Sequence, residues 1–328
     1  MSFKDVLGHT KPIERLQRAI RRDKVVHSYL FWGNEGIGKK WVALQFAKAL
    51  NCEEEPERGD ACDRCASCRK IEHLRHPDVL LLEPEGQTLK VEQVRLMQRE
   101  LAYRPYEGRR RVCILTAADR MAANMSNALL KTLEEPPLHT VMILLANHPR
   151  LLLPTLLSRC QTIRFNSLPA SVVSSWLVER RGYPEEEARL LASLSEGSIG
   201  KAMEIREGIQ GIPRKELLQD WVGVKKLAFE KIEHWAESLP SQRESLLLIL
   251  EVVKTLLRDL VMVNLFKHQA RLIHTDLVRE MEGIASERSL SSLLGRMKAL
   301  HQAILAIRGN ANTALALEAM MFSWAEGY

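Results

Sequence analysis

Short apolar runs that alternate with helical patterns constrain the fold of this chain more than any other feature of its sequence. The runs predict five strands: SYLFW (28–32), DVLLLEP (78–84), RVCILTA (111–117), VMILLA (141–146) and QTIRF (161–165). Between them, apolar residues recur four apart, as Val42, Phe46 and Leu50 do, which places them on one helix face. Such alternation is typical of a parallel sheet covered by helices. The sequence therefore predicts an α/β domain over residues 1–166.

The strand signals stop after Pro169, and the rest of the chain shows helical patterns. Three short helical segments are followed by Gly182, Gly197 and Gly208, as expected where helices end. They predict a small helical domain over residues 167–208. Longer amphipathic patterns, such as ESLLLILEVVKTLLRDLVMVNLFKHQARLI and ERSLSSLLGRMKALHQAILAIRG, predict an all-α domain over residues 209–328.

The segment GNEGIGKK at residues 33–40 fits the pattern G-x-x-x-x-G-K of a phosphate-binding loop. In such a loop, backbone N–H groups and the N-terminus of the next helix bind phosphate. The segment follows a predicted strand and opens a predicted helix, so a P-loop is expected here. Its candidate binding residues are Gly33, Gly36, Gly38, Lys39 and Lys40. The alternative for Lys39 is a solvated lysine at a helix start, without a ligand.

Three residues depart from the pattern of an ATP-hydrolysing P-loop protein. Lys40 stands where a Ser or Thr hydroxyl normally coordinates Mg²⁺. Thr116 and Ala117 follow the apolar run RVCIL, where such proteins carry an acidic pair for the metal and the attacking water. Asp119 comes two residues later, and we expect it to lie past the catalytic end and to cap a helix beginning near Met121. The sequence thus predicts no ATP hydrolysis by this chain alone and leaves ATP and Mg²⁺ binding doubtful.

Four of the six cysteines, Cys52, Cys62, Cys65 and Cys68, lie within seventeen residues of one another. Four thiolates at this spacing suit a closed, tetrahedral Zn²⁺ site of structural type. An iron–sulfur cluster and unliganded thiols are the alternatives. We expect the nearby His73 and His76 to be surface residues of a helix and its exit.

These features together resemble the bacterial DNA polymerase III clamp-loader subunits of the AAA+ family. The resemblance rests on the four cysteines and on these segments: FKDVLGHTKPIERLQRAI (3–20), HSYLFWGNEGIGKK (27–40), FAKALNC (46–52), NALLKTLEEPP (127–137), LLPTLLSRCQTIRF (152–165), GSIGKA (197–202) and NANTALALEAM (310–320). It implies an AAA+ α/β domain with a zinc module (about 52–68), a helical lid and a helical collar that joins a five-subunit ring. The implied partners are gamma/tau and delta subunits and, through the complex, the sliding clamp and primed DNA.

The resemblance also assigns roles to single residues. Arg159 lies in the sequence Ser-Arg-Cys, whose arginine in this family reaches the ATP bound to the neighbouring subunit; the alternative is a surface or fold-internal arginine. Lys201 stands where the lid usually carries an arginine that contacts nucleotide, or else is an ordinary helix-surface lysine. Asn147 occupies the position of a polar sensor residue. The altered P-loop and the missing acidic pair indicate a non-hydrolysing, stator-type member of the family.

Composition and charge bear on the partners and the cellular location that we expect for this chain. The chain has 47 Lys and Arg against 41 Asp and Glu, a net charge of +6, which favours a polyanionic partner only weakly. The basic run 109–111, with Arg104 nearby, is compatible with a DNA phosphate contact or with a solvated turn. No apolar run is long enough to span a membrane, so we expect a cytoplasmic subunit of a hetero-oligomer. Two rival functions are an active gamma/tau-like ATPase and a free-standing, zinc-dependent DNA-binding protein.

Overall fold

The computed structural model describes residues 2–54, 59–84, 91–222, 240 and 242–325. The chain divides into two compact units, residues 1–168 and residues 169–328. The first unit ends at residue 168, two residues after the predicted end of the α/β domain at residue 166. The further boundary near residue 208 stays a prediction.

A five-stranded parallel sheet forms the centre of the first unit, with strand order β2-β3-β4-β1-β5. The strands are β1 (Ser28–Trp32), β2 (Val79–Leu82), β3 (Arg111–Leu115), β4 (Thr140–Ala146) and β5 (Gln161–Arg164). Each coincides with one of the predicted apolar runs, and the predicted α/β class is confirmed. Because all strands run in the same direction, their carboxyl ends share one edge of the sheet and their amino ends share the other.

Helices cover both faces of the sheet. They are α1 (Thr10–Arg21), α2 (Lys39–Asn51), α3 (Ala66–Glu72), α4 (Val91–Leu101), α5 (Ala123–Glu134) and α6 (Pro154–Leu157). Alternate residues of β3 point to opposite faces of the sheet. Ile114 packs in one hydrophobic cluster with Phe46 of α2, and Leu115 packs in a second cluster with Leu129 of α5. The side-chain period of two within a strand thus produces two separate cores.

All regular secondary structure among the described residues of the second unit is helical. Its helices are Ala170–Arg181, Glu185–Leu194, Ile199–Ile209, Arg214–Glu216, Arg243–Phe266, Val278–Ser286, Leu290–Arg308 and Thr313–Ala325, with a π-helical segment at Leu217–Val222. The first three match the predicted short helices. The long helix predicted to continue through residue 273 ends at Phe266. Within the ranges that the structure describes, no helix is long and apolar enough to cross a membrane.

Candidate functional site

The predicted P-loop connects the carboxyl end of β1 to α2. Gly33 has a φ of 151°, and a Cβ on it would lie 2.2 Å from the backbone oxygen of Phe165, which follows β5. Gly38 precedes α2 in the left-handed region, with a φ of 98°. Only glycine fits both positions. The loop therefore forms at the carboxyl edge of the sheet, as the motif predicts.

Lys39 is buried in this loop, with 8% of its surface exposed. Its Nζ donates hydrogen bonds to the backbone oxygens of Gly33 and Asn34, both at 2.6 Å, and to Oδ1 of Asn147 at 2.9 Å. Burial lowers the pKa of Lys39 to about 8, and the charges of Asp119 and Glu35 oppose this shift. The alternative of a solvated lysine is therefore wrong. The contact also brings Asn147, at the end of β4, into the P-loop site.

Lys40 points to the end of β2, where its Nζ lies 2.9 Å from Oε1 of Glu83. Both side chains are about half exposed. The hydroxyl of Thr116 donates to the backbone oxygen of Leu82 at 3.2 Å. Position 40, which would carry a metal-binding hydroxyl, thus holds a cation. Positions 116 and 117, which would carry an acidic pair, hold Thr116, whose hydroxyl is bonded to the backbone, and Ala117. Glu83 was not predicted as a site residue, because it falls inside the predicted strand 78–84, whereas the observed strand ends at Leu82 and leaves Glu83 at this edge.

Asp119 does not cap the helix that follows it, so that prediction is wrong. Oδ2 of Asp119 accepts hydrogen bonds from the backbone N–H groups of Asn147 at 3.0 Å and His148 at 2.8 Å. Helix α5 begins after Ala122 without a side-chain cap. Asp119 instead ties the segment after β3 to the end of β4, which places its charge close to Lys39.

The four clustered cysteines converge on one point. Their sulfur atoms all lie within 4.8 Å of one another, and Sγ of Cys62 and Sγ of Cys68 are 4.0 Å apart. Cys52 follows the last residue of α2, and Cys65 caps the N-terminus of α3. Four sulfurs at about 2.3 Å from a tetrahedral zinc ion lie roughly 3.8 Å apart. The cluster therefore has the dimensions of a four-thiolate metal site.

Lys48 forms ion pairs beside this cluster, a role that was not predicted from the sequence. Its side chain is 1% exposed, and Nζ contacts Asp63 and lies 2.9 Å from Oε2 of Glu72. Burial alone would lower the pKa of Lys48, but the hydrogen bonds to the two carboxylates outweigh it and raise the pKa. The ion pairs join α2 to α3 and to the loop that carries Cys62.

The expectation of two surface histidines is half right. His73 is exposed at the end of α3, whereas His76 is buried. Nδ1 of His76 accepts from the backbone N–H of Asp78 at 3.1 Å. The carboxylate of Asp78 accepts three backbone N–H groups, from residues 106–108 at 2.7–2.9 Å. These bonds fold that loop over His76, which local sequence does not reveal.

The basic run 109–111 does not form a uniformly solvated turn, so that alternative is wrong for Arg111. Arg111 is 6% exposed, and its Nη2 lies 3.3 Å from Oδ1 of Asp78. Nη2 of Arg110 lies 3.4 Å from Oδ1 of Asp23, and Arg109 is exposed. Arg111 is thus part of the fold, which leaves Arg109 as the exposed cation of the run.

Arg159 lies at the opposite edge of the sheet from the P-loop, between α6 and β5. Its backbone oxygen accepts a hydrogen bond at 3.2 Å from the hydroxyl of Ser28, the first residue of β1. About 35% of the arginine side chain is exposed, and Nη2 lies 2.6 Å from Oε1 of Glu134 at the end of α5. Arg159 also lines a cleft of about 640 Å³, together with Arg110, Leu138 and other residues.

Lys201 lies in the second unit, in the first turn of the helix Ile199–Ile209. Its backbone N–H donates to the capping hydroxyl of Ser198 at 3.0 Å. Its Nζ lies 3.5 Å from Oε1 of Glu196, with 39% of the side chain exposed. Lys201 is therefore a surface residue within its own unit.

Comparison with known proteins gives consistent matches. Residues 8–169 match the family described as DNA polymerase III, delta subunit. DNA polymerase III subunit delta' of Bacillus subtilis is 29% identical over 316 residues, which cover 95% of this chain and 94% of that protein. Subunit delta' of Pseudomonas aeruginosa is 37% identical over 217 residues, 64% of each chain. Subunit tau of Escherichia coli is 32% identical over 211 residues, which cover 63% of this chain and 32% of that protein.

The matched family and the delta' proteins are DNA polymerase III subunits, in agreement with the resemblance carried by the sequence segments quoted above. The similarity to the Bacillus subtilis protein extends along nearly the whole of both chains. This chain is therefore similar to DNA polymerase III delta' subunits over nearly its whole length, and its residues 8–169 match the DNA polymerase III delta subunit family.

Proposed function

We propose that this chain is a non-hydrolysing, delta-prime-type subunit that supplies Arg159 to the nucleotide site of the neighbouring clamp-loader subunit. The observation that carries the proposal is the contrast between the two edges of the sheet. The carboxyl edge holds a P-loop without its metal-binding groups, whereas the amino edge holds an exposed arginine.

The composition of the P-loop edge argues against hydrolysis by this chain. Phosphoryl transfer by P-loop proteins needs Mg²⁺ and a positioned water molecule. Lys40, paired with Glu83, brings a positive charge to the place of the Mg²⁺ ligand. Thr116 and Ala117 supply no carboxylate, and Oδ2 of Asp119 is engaged by two backbone N–H groups.

The position of Arg159 argues for action on another subunit. The backbone of Arg159 is bonded to Ser28 at the start of β1, and Gly33 follows the end of that strand. At roughly 3.3 Å per residue, these two ends are about 16 Å apart, which is too far for one side chain to span. A planar, permanently charged guanidinium suits the oxygens of a transferring phosphoryl group, so Arg159 fits a nucleotide outside its own P-loop.

We infer that Cys52, Cys62, Cys65 and Cys68 hold one structural zinc ion. The four sulfurs fill a tetrahedral coordination sphere, which leaves no open position for a substrate or water. Burial raises the pKa of the Cys68 thiol, so a bound cation must displace protons that the sulfurs otherwise keep. When bound, zinc joins the end of α2 to α3 and stabilises this module.

The remaining parts of the proposal concern assembly. Residues 167–208 act as a helical lid and residues 209–328 as a collar that joins gamma/tau and delta subunits in a cytoplasmic complex. That complex loads the sliding clamp onto primed DNA. Support comes from the family and from the similarity to tau and delta' subunits.

Substitution of Arg159 in the reconstituted complex tests the proposal. With DNA and clamp present, Arg159→Ala should reduce ATP turnover at the adjacent site by about 10³-fold or more, while the total turnover falls only in part. Arg159→Lys should restore little, because an ammonium lacks the guanidinium fork. The matched control is Arg150→Ala, an exposed arginine beyond the end of β4. Unchanged turnover in Arg159→Ala would contradict the proposal.

An active gamma/tau-like ATPase is the second candidate, favoured by the 32% identity to subunit tau. It requires Mg²⁺-dependent turnover by the isolated chain. The groups at positions 40, 116 and 117 favour the first proposal.

A further inference from the structure

We propose that Glu134 is a positioning residue for Arg159, holding its guanidinium ready for the phosphate of a nucleotide on the neighbouring subunit. This inference rests on the proposed function of Arg159 and adds a second residue to it. Glu134 is the last residue of α5, 25 positions before Arg159 in the sequence. The fold alone brings the two together.

Two helix ends hold the guanidinium. From α5, Oε1 of Glu134 lies 2.6 Å from Nη2 of Arg159. From α6, the backbone oxygen of Thr155 accepts from Nη1 at 3.0 Å. The Ser158 hydroxyl oxygen accepts from Nη1 at 3.4 Å. A carboxylate at the end of α5 and a backbone oxygen of α6 thus fix the arginine on the same edge of the sheet.

These contacts leave part of the guanidinium available. An arginine has five N–H donors, and the contacts with Thr155, Ser158 and Glu134 use Nη1 and Nη2. Among the described residues, no group accepts a hydrogen bond from Nε of Arg159. The Nε–H and the second N–H of Nη2 can therefore meet two oxygens of a phosphate, the paired geometry that arginine favours.

The exposure of this ion pair indicates that Glu134 affects the rate of ATP hydrolysis at the adjacent site more than the stability of the fold. About 35% of the Arg159 side chain and 50% of the Glu134 side chain are exposed, and ion pairs this exposed contribute little to folding. A long arginine side chain without a partner samples many rotamers. Donors fixed before the reaction stabilise developing charge without reorganising during it, and Glu134 provides that fixation.

The experiment measures ATP turnover in the reconstituted complex, with DNA and clamp present, for Glu134→Gln in this chain. We expect kcat of the adjacent site to fall about threefold to tenfold with KM for ATP unchanged, since the lost contact orients the arginine. Glu134→Asp should recover part of the loss. Glu135→Gln, a change at the adjacent exposed residue, should leave turnover unchanged.

A double substitution separates this inference from the proposed function. If Glu134 acts through Arg159, then Glu134→Gln should have no further effect in an Arg159→Ala background. An effect of Arg159→Ala with none of Glu134→Gln would overturn the positioning role alone. Equal effects of Glu134→Gln in both backgrounds, or a lowered melting temperature of the isolated variant, would show a structural role instead. No effect of Arg159→Ala would overturn the proposed function itself.

Discussion

Lys40 stands at the position where an Mg²⁺-binding P-loop carries a Ser or Thr hydroxyl. The ammonium is oriented by Glu83 at 2.9 Å, and this pairing joins α2 to the end of β2. A cation placed there repels a divalent metal ion in addition to offering it no oxygen. One substitution would restore the hydroxyl, but the two missing carboxylates would remain absent.

We therefore predict no Mg²⁺-dependent ATP turnover by the isolated chain or by Lys40→Thr. The variant regains a metal-binding hydroxyl, yet Thr116 and Ala117 still cannot bind the metal or polarise water. A phosphate-release assay with and without EDTA measures this directly. Turnover that requires Mg²⁺ and disappears on Lys39→Ala would contradict the prediction.

His274, in the second unit, has a protonation state that is defined by its hydrogen bonds. It is fully buried, and its ring nitrogens lie 2.8 Å from the Thr255 hydroxyl and 3.2 Å from Nη1 of Arg214. Because Arg214 can only donate, Nδ1 accepts and Nε2 carries the proton. Burial, with the charge of Arg214 adding to it, lowers the pKa of His274 to about 4.

We predict that His274 makes stability fall in mild acid. The unfolded chain binds a proton near pH 6.5, whereas the folded chain binds it only near pH 4, so stability decreases as pH drops through this window. Between pH 7 and pH 4.5 the loss attributable to His274 should be about 2–3 kcal/mol. Urea unfolding should show a smaller pH effect for His274→Gln than for the unmodified chain. Equal pH effects on the variant and on the unmodified chain would contradict the assignment of this stability loss to His274.

At the scale of elements, α2 connects two sites. Its N-terminus follows Gly38 of the P-loop, and Cys52 of the cysteine cluster follows its last residue. Lys48, in the last turn, is paired with Glu72 of α3. The cysteine cluster is thus built onto the helix that follows the P-loop.

We predict one zinc ion per chain, lost when Cys68 is replaced by serine. Thiolate ligation contributes directly to local folding, so amide protons of α3 should exchange faster in Cys68→Ser. Metal analysis and hydrogen exchange measure the two effects. The core residue Cys113, outside the cluster, provides the control, since Cys113→Ala should retain the metal. Finding iron, or no metal in reduced protein, would contradict the prediction.

Elements that depend on local pattern were predictable from the sequence, and contacts between distant segments were not. The strands follow from their apolar runs, and the cysteine cluster follows from its spacing. The strand order, the bonds of Asp119 to the end of β4 and the burial of His76 depend on tertiary packing. The Glu134–Arg159 pair belongs to the same class, because it joins the ends of two helices.

At the scale of the whole molecule, each unit carries a different part of the proposal. The first unit holds the P-loop, the cysteine cluster and Arg159, with the P-loop and Arg159 on opposite edges of one sheet. In the second unit, the described residues form helices and connecting loops without a strand, and the predicted lid and collar fall within this unit. The similarity to DNA polymerase III subunits links these parts to the proposed assembly.

In the proposed function, this chain promotes hydrolysis by its neighbour without hydrolysing ATP itself. The most direct test of that function is ATP turnover of the complex, with DNA and clamp, for two variants of this chain alone. Arg159→Ala removes the amino-edge arginine, and Lys39→Ala removes the P-loop lysine. We predict a clear partial loss of turnover with Arg159→Ala and no loss with Lys39→Ala. Loss with Lys39→Ala and full turnover with Arg159→Ala would contradict this prediction.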